Sequence, residues 1–154
     1  MDDREILALC DRIRKISLAL HGYLWHGHME KVYENGLAHR LRKAGIGFEQ
    51  QYPLKVSDED GATLGEYYAD FLVEGLLVVE LKACKALVDE HIAQILGYLR
   101  GCHCAHGLLI NFGAPRLEIR KFKLWNRGMA CLAFSNSLNR LCFLCLLWLP
   151  CLSA

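Results

Sequence analysis

The sequence lacks a long apolar run, an apolar leader and a strong net charge. Its most apolar stretch, 141–152, has only 12 residues, whereas a helix needs about 20 to span a bilayer. We therefore predict no membrane span. The first segment, MDDREILALCDRIRK, is charged throughout, which argues against a signal peptide and favours a cytoplasmic location. There the eight cysteines are expected to be reduced thiols.

The net charge of +1 does not indicate a nucleic-acid-binding protein by itself. Residues 1–112 hold 12 Lys and Arg against 16 Asp and Glu, and residues 113–154 hold 6 against 1. The second part contains a basic strip of Arg116, Arg120, Lys121, Lys123 and Arg127. Such a strip could face phosphates, although a solvated strand edge explains it equally well.

The 154 residues are 53% hydrophobic, as expected for a single globular domain. Apolar spacing predicts helices over 4–20, about 28–44 and 88–101, with a break at 21–27 after the first. Strands are predicted over 51–56, 64–73, 77–83, 107–111 and 117–124, the last of them as an edge strand. The order α-α-β-β-β-α-β-β predicts an α/β domain in which helices pack on a mixed central sheet.

The layout predicts an apolar helix face and a domain boundary. On the second helix, one apolar face is expected to be formed by Met29, Val32, Tyr33, Leu37 and Leu41. The domain is expected to end near residue 124, followed by an apolar, Cys-rich tail over 125–154. That tail is either a helix that covers an apolar face or makes a homodimer contact, or a non-native end from a shifted or truncated reading frame.

A carboxylate and an ammonium stand at the end of a predicted buried strand. Glu80 and Lys82 follow the apolar run 76–79 and, two residues apart, point to the same face. Charges in such a place are costly unless they are partnered or used. Asp70 lies in the preceding strand, and a three-residue connection would place it directly opposite Glu80. A two-residue turn would instead place it opposite Val79.

Two like charges that face each other destabilise a sheet. A divalent cation would turn that repulsion into coordination, because Mg²⁺ favours one or two carboxylates with water and substrate phosphate. Lys82 could then orient or activate an attacking water and stabilise charge on the phosphate. A buried ion pair without catalysis explains the same residues, and the residues alone do not separate the two interpretations.

Further polar groups converge on the same region of the predicted fold. His91, Gln94 and Tyr98 have the spacing of one helix face, and Glu30 and Tyr33 are three apart on another helix. Each of them taken singly is more often a surface or half-buried residue than a ligand.

Together these residues resemble a known family. Asp in one strand, Glu-x-Lys in the next and Gln-x-x-x-Tyr on the following helix are similar to the PD-(D/E)XK nuclease superfamily, particularly its RecB-like branch. Segment 27–33, GHMEKVY, contains the signature of the GxxExxY protein family, and His21 falls where that family usually has a histidine. The resemblance covers about residues 4–124, and its other supporting stretches are 68–71, 79–83, 91–94 and 107–115.

The resemblance implies a restriction-endonuclease-like fold and hydrolysis of nucleic-acid phosphodiester bonds that depends on Mg²⁺ or Mn²⁺, with DNA favoured over RNA. It implies that Asp70 and Glu80 bind the metal, with the Leu81 carbonyl as a further ligand. Lys82 would serve the nucleophilic water, and Glu30 would complete the acidic cluster.

Gln94 and Tyr98 would position the scissile strand or the metal waters by the same resemblance. A different interpretation is a non-catalytic binding or regulatory module that has kept the nuclease fold.

Two cysteine patterns have the residue types of metal sites. Cys142, Cys145 and Cys151, with Cys10 far upstream, have the arrangement that holds a [4Fe–4S] cluster in some RecB-like nucleases. The apolar, Leu-rich context makes a chance match easy, and we do not favour the cluster. In segment 102–106, CHCAH, two cysteines one residue apart fit tetrahedral zinc poorly, so packing is the preferred interpretation.

Overall fold

The structure is a computed structural model that describes residues 3–102, 104–125 and 129–134, with only the backbone described from Trp125 onward. Its elements are α1 (Asp3–Leu24), α2 (Glu30–Lys43), β1 (Phe48–Ser57), β2 (Thr63–Val73), β3 (Leu77–Lys82), α3 (Asp89–Gly101), β4 (His106–Asn111), β5 (Glu118–Trp125) and β6 (Met129–Phe134).

The described strands form one six-stranded sheet in the order β1-β2-β3-β4-β5-β6. Strands β3 and β4 are parallel and the other neighbours are antiparallel. Helix α3 connects the parallel pair, as a crossover between parallel strands requires. The predicted α/β class with a mixed sheet is confirmed.

Each face of the sheet carries its own core. On one face, Phe71, Val73, Leu77, Val79, Leu81, Leu108, Ile110 and Phe112 pack against apolar residues of α1 and α2. On the other face, Ala69, Leu72, Val78, Leu109 and Phe122 pack against Ile95, Tyr98 and Leu99 of α3. The central strands therefore read as continuous apolar runs, because both of their faces are covered.

Four details differ from the sequence prediction. Helix α1 does not stop at residue 20 but continues to Leu24, since His21 is buried and its imidazole Nε2 lies 3.0 Å from the Ala114 carbonyl oxygen. Met29 and Val32 do not join the buried face of α2, and both are exposed. Met29 precedes the helix, which begins at Glu30, and Val32 lies beside the buried stripe that Tyr33, Leu37 and Leu41 form. The buried face contains Glu34 instead.

The other two differences concern the far end of the sheet. Strand β5 is not an edge strand, because β6 pairs with it antiparallel. Strand β6 itself was not predicted, and it lies in the segment that the sequence suggested as a tail. None of the helices in the described ranges has the length and apolar character that crossing a bilayer requires.

The connection between β2 and β3 decides which residues meet. Phe71 pairs with Val79 and Val73 with Leu77, which leaves the three-residue connection 74–76. Glu74 and Gly75 both have positive φ, 51° and 68°, a conformation that Gly adopts without strain. This is the predicted register, and it excludes the alternative that would have sent Asp70 and Glu80 to opposite faces.

Candidate active site

Asp70, Glu80 and Lys82 lie together on the face of the sheet that α3 covers. They alternate with residues that point into the α1/α2 core, so strand geometry places them opposite that core. The Asp70 backbone nitrogen lies 3.5 Å from Glu80 Oε2. The Asp70 side chain turns back to the next strand, where its Oδ2 accepts a 2.7 Å hydrogen bond from the Leu81 backbone N–H.

Both carboxylates are buried, with exposed fractions of 8% for Asp70 and 3% for Glu80. Burial raises the pKa of Glu80 to about 7, and repulsion from Asp70 adds to the rise. Burial also raises the pKa of Asp70, against the hydrogen bond from Leu81 and together with the like charges of Glu30 and Glu34. The pair therefore holds negative charge in a place that disfavours it.

Lys82 supplies the nearest positive charge. Its Nζ donates a 2.7 Å hydrogen bond to Glu80 Oε1, and only 13% of the Lys82 side chain is exposed. Burial acts to lower the pKa of Lys82, but the hydrogen bond and charge of Glu80 outweigh it, and the pKa is raised. The lysine is therefore held protonated beside the carboxylates.

Helix α2 brings two more carboxylates to the site from its first turns. Glu30 Oε2 accepts a 3.2 Å hydrogen bond from the Ala83 backbone N–H, so it ties α2 to the segment that follows Lys82. Glu34 is buried and pairs with Lys31 at 2.8 Å. Although burial acts to raise the pKa of Glu34, hydrogen bonds from Lys31 and from two glutamines lower it.

Gln51 connects Glu34 to Asp70. Its Nε2 donates to Glu34 Oε1 at 3.0 Å and to Asp70 Oδ1 at 3.2 Å. The residue has a φ of 54°, an unfavourable conformation for a side chain other than glycine. Such strain persists where the surroundings over-determine the position, and it clusters at functional sites.

Helix α3 contributes Tyr98 directly and Gln94 through it. The Gln94 side-chain amide donates a 2.7 Å hydrogen bond to the Tyr98 hydroxyl. Burial raises the pKa of Tyr98, and the charges of Glu80, Lys82 and Asp70 all act on it. His91, on the same predicted stripe, instead accepts a hydrogen bond from the Val88 backbone N–H through Nδ1 at 3.3 Å.

The segment around Gly27 and Tyr33 fixes the start of α2. The Tyr33 hydroxyl donates to the Trp25 carbonyl at 2.6 Å and accepts from the His28 N–H at 3.2 Å. Its ring stacks on Phe112 with centroids 4.8 Å apart. Gly27 has a φ of 111°, which favours glycine. Glycine and tyrosine of the GxxExxY segment thus hold the loop that places Glu30.

The end of β4 fixes the other side of the site. Asn111 Oδ1 accepts hydrogen bonds from the backbone N–H groups of Cys84 and Gly113, and the Phe112 N–H donates to the Lys82 carbonyl. A Cβ atom at Gly113 would lie 2.3 Å from the Ala83 carbonyl carbon and the Cys84 nitrogen. Only glycine lets the two backbones approach this closely.

The oxygen ligands present suit a hard divalent cation. Mg²⁺ is usually bound by one or two carboxylates, with water and substrate phosphate completing its shell. Asp70 and Glu80 supply two buried carboxylates whose mutual repulsion such a cation would relieve. Within the described ranges, no three or more His, Cys, Asp or Glu side chains are grouped so that they form a metal site by themselves.

The predicted basic strip is largely neutralised. Lys121 pairs with Asp11 at 3.1 Å and Lys123 pairs with Asp3; the two aspartates lie on α1. Arg120 pairs with Glu118 of the same strand. Lys121 and Lys123 therefore tie β5 to α1, and Arg120 is partnered within β5, so these three cations already face acidic side chains. Arg127 lies outside the described residues.

The cysteine hypotheses gain no support in the described ranges. Cys10 is buried in α1, and Cys142, Cys145 and Cys151 lie outside the described residues, as does the tail suggested for a homodimer contact. In the second pattern, His103 is also outside them.

Sequence reasoning missed Glu34 and Gln51. Glu34 follows Glu30 by one helical turn, so the i, i+4 pair of carboxylates was a usable signal. Gln51 had no comparable signal, because its role depends on which residues β1 meets across the sheet.

Helices on both faces of a mixed sheet, with Glu80 and Lys82 at the end of a central strand and Asp70 on the neighbouring strand, define a restriction-endonuclease-like α/β domain. A family model described as the PD-(D/E)XK nuclease superfamily matches residues 8–122. The chain therefore belongs to the PD-(D/E)XK nuclease superfamily.

No curated protein matches the chain. Among solved structures, the crystal structure of SSO0001 is similar, with 18% sequence identity and a TM-score of 0.49. The similarity covers 59% of this chain and 48% of that one, so this chain spans about half the length of SSO0001.

Proposed function

We propose that this protein is a metal-dependent nuclease that hydrolyses phosphodiester bonds of nucleic acid, with DNA favoured over RNA. The observation that carries the proposal is the placement of Asp70 opposite Glu80, with Lys82 Nζ 2.7 Å from Glu80. Asp70 and Glu80 are buried and Lys82 is mostly buried, next to the apolar residues of the central strands. We further propose that the protein is a GxxExxY member of the RecB-like branch, on the strength of segment 27–33.

In this proposal Asp70, Glu80 and the Leu81 carbonyl hold Mg²⁺ or Mn²⁺. When bound, the ion supplies Lewis-acid stabilisation of the negative charge that develops on the phosphate. Glu30 adds negative charge beside this group and fixes the segment after Lys82 through the Ala83 N–H.

Lys82 acts on the attacking water and on the phosphate. Its ammonium is held protonated beside the site, so it can donate hydrogen bonds to a phosphate oxygen and orient a water. Tyr98 and Gln94, joined by their 2.7 Å hydrogen bond, form the wall from α3 and position the scissile strand.

Cleavage assays test the proposal directly. Single-stranded, double-stranded and branched DNA, and RNA, are incubated with Mg²⁺, Mn²⁺ or EDTA. We expect metal-dependent cleavage that Lys82→Ala and Asp70→Ala each reduce by about 100-fold or more, as loss of one electrostatic group at a reacting centre does. Cleavage that both variants retain would reject the assignment.

The alternative is a non-catalytic binding or regulatory module that has kept the nuclease fold. One observation favours it: Lys82 already pairs with Glu80, and Asp70 already accepts a hydrogen bond from Leu81. The charges are therefore partnered without any metal. Measurement of Mg²⁺ binding separates the two functions.

A further inference from the structure

A groove lies between α3 and the outer part of the β1–β2 ribbon. Residues 52–57 of β1 pair with 63–69 of β2, whereas β2 pairs with β3 through residues 71–73. The ribbon therefore extends past the central sheet and leans over α3. The space between them has a volume of about 780 Å³, within the usual range for ligand sites.

The groove joins aromatic and cationic side chains. Tyr67 and Tyr98 both line it, with ring centroids 5.9 Å apart and ring planes inclined by 42°. Tyr67 is 51% exposed, so its ring is open to a planar ligand. Lys55 and Arg100 line the groove as well.

The charge of the groove is compatible with a phosphate backbone. Lys55 lies 3.7 Å from Glu66, and both side chains are at least half exposed, so this pair competes weakly with another anion. Asp58 is the acidic residue of the lining. One oxygen of its carboxylate accepts a hydrogen bond from the Glu59 N–H within the hairpin turn.

The groove borders the candidate active site on the α3 side, although Asp70, Glu80 and Lys82 do not line it. Gln94 and Tyr98 line it, and Tyr98 is also the α3 residue on which the charges of Asp70, Glu80 and Lys82 act. A strand whose phosphate lies at those carboxylates would thus pass its next nucleotides along Tyr98 towards Tyr67.

We propose that this groove binds a single nucleic-acid strand, with a base stacked on Tyr67 and the backbone beside Lys55 and Arg100. The proposal rests on the proposed nuclease function and specifies its substrate as unpaired. Stacking on an aromatic ring tolerates any base sequence and combines with cations along the backbone in proteins that bind single strands.

The helix offers a way to fill the groove without disturbing the fold. Gly97 lines the groove in the middle of α3, and a Cβ atom there would have nothing within 4 Å. A methionine at this position would project into the groove. Because methionine favours helix more than glycine does, Gly97→Met is not expected to lower stability.

The test measures binding of fluorescein-labelled oligo-dT, oligo-U and a DNA duplex by fluorescence anisotropy in EDTA, where metal-dependent cleavage cannot proceed. We expect Tyr67→Ala and Gly97→Met each to weaken single-strand binding by about tenfold. The matched controls are Tyr68→Ala, which is equally exposed on the other face of the ribbon, and Gly22→Met, on α1 with open space around it. Thermal melts confirm that each variant is folded.

The outcomes separate this proposal from the nuclease function. Equal affinities for the groove variants and their controls, or a wild-type protein that binds duplex but no single strand, would overturn the groove. Groove-dependent binding without cleavage in Mg²⁺ or Mn²⁺ would support the groove and overturn the nuclease. Comparison of the dT and U affinities identifies which kind of single strand the groove prefers.

Discussion

At the scale of single residues, Glu80 is the most unfavourably placed charge of the site. It is 3% exposed, it faces Asp70, and Lys82 is its ion-pair partner. A buried charge of this kind is costly for folding even when it is paired. The cost is understandable if the carboxylate serves a cation rather than the stability of the sheet.

The raised pKa of Glu80 predicts how stability depends on pH. The value rises from 4.5 to about 7 on folding, so the folded state binds this proton more tightly than the unfolded state. Below about pH 4.5 Glu80 is protonated in both states, and its tighter proton binding in the folded state contributes fully to the free energy of unfolding. Between about pH 4.5 and 7 the unfolded state ionises first, and the free energy of unfolding falls by about 3 kcal/mol.

Urea denaturation in EDTA over this pH range checks the prediction, with Glu80→Gln as the matched variant. Glutamine keeps an oxygen acceptor for Lys82 but does not titrate. We expect the difference in unfolding free energy between wild type and Glu80→Gln to shift against the wild type as pH rises. A difference that stays constant from pH 4 to about 8 would contradict the buried, repelled carboxylate.

The residues of the site differ in how far sequence could predict them. The placement of Asp70 opposite Glu80 was predictable because a short hairpin connects their strands. Lys82 was predictable on the same face as Glu80 because side chains two residues apart on a strand point the same way. The role of Gln51 was not predictable, because its partners Glu34 and Asp70 are 17 and 19 residues away in the chain. Local periodicity carries no information on which distant residues such an amide will reach.

At the scale of elements, the interiors of helices and strands followed from apolar periodicity, but the end of α1 and the position of β5 within the sheet did not. Helix α1 runs on to Leu24 because His21 meets the Ala114 carbonyl, 93 residues later in the chain. Strand β5 has the alternation of an edge strand, yet β6 covers it. In both cases a tertiary contact overrides the local pattern.

The connection after β3 is held by the loop after β4. Glu30, Asn111 and Gly113 all contact residues 83–84, directly after Lys82. Gly113→Ala would drive a methyl group into the backbone of this segment, since the Cβ would lie 2.3 Å from two backbone atoms. We expect a loss of about 1–3 kcal/mol in the free energy of unfolding, together with weaker cleavage because the segment moves.

Urea denaturation of Gly113→Ala and Gly22→Ala gives a matched comparison. Gly22 lies on α1 with nothing within 4 Å of its Cβ position, so alanine there is expected to stabilise the helix by up to about 1 kcal/mol. Two alanine variants of equal stability would show that the close approach at Gly113 carries no energetic weight.

At the scale of the whole molecule, the charge distribution serves the fold and the site differently. Lys121 and Lys123 of β5 are paired with Asp11 and Asp3 of α1, so two of the five cations of the basic strip hold a helix in place. Lys55 and Arg100 lie across the groove instead. A protein with a net charge of +1 can thus present a local cationic path that overall composition does not reveal.

Mg²⁺ binding to the whole protein distinguishes an enzyme from a module that merely kept the fold. A cation that binds only the folded state raises its stability, by about 2.7 kcal/mol when the free concentration is 100-fold above Kd. We expect calorimetry and thermal melts to show binding and a raised Tm for the wild type, and neither for Asp70→Asn. Glu59→Gln removes an exposed carboxylate at the tip of the β1–β2 hairpin and is expected to behave as wild type. If the wild type binds no Mg²⁺ even with single-stranded DNA present, the charges of Asp70, Glu80 and Lys82 stabilise one another without a cation, and the non-catalytic interpretation stands.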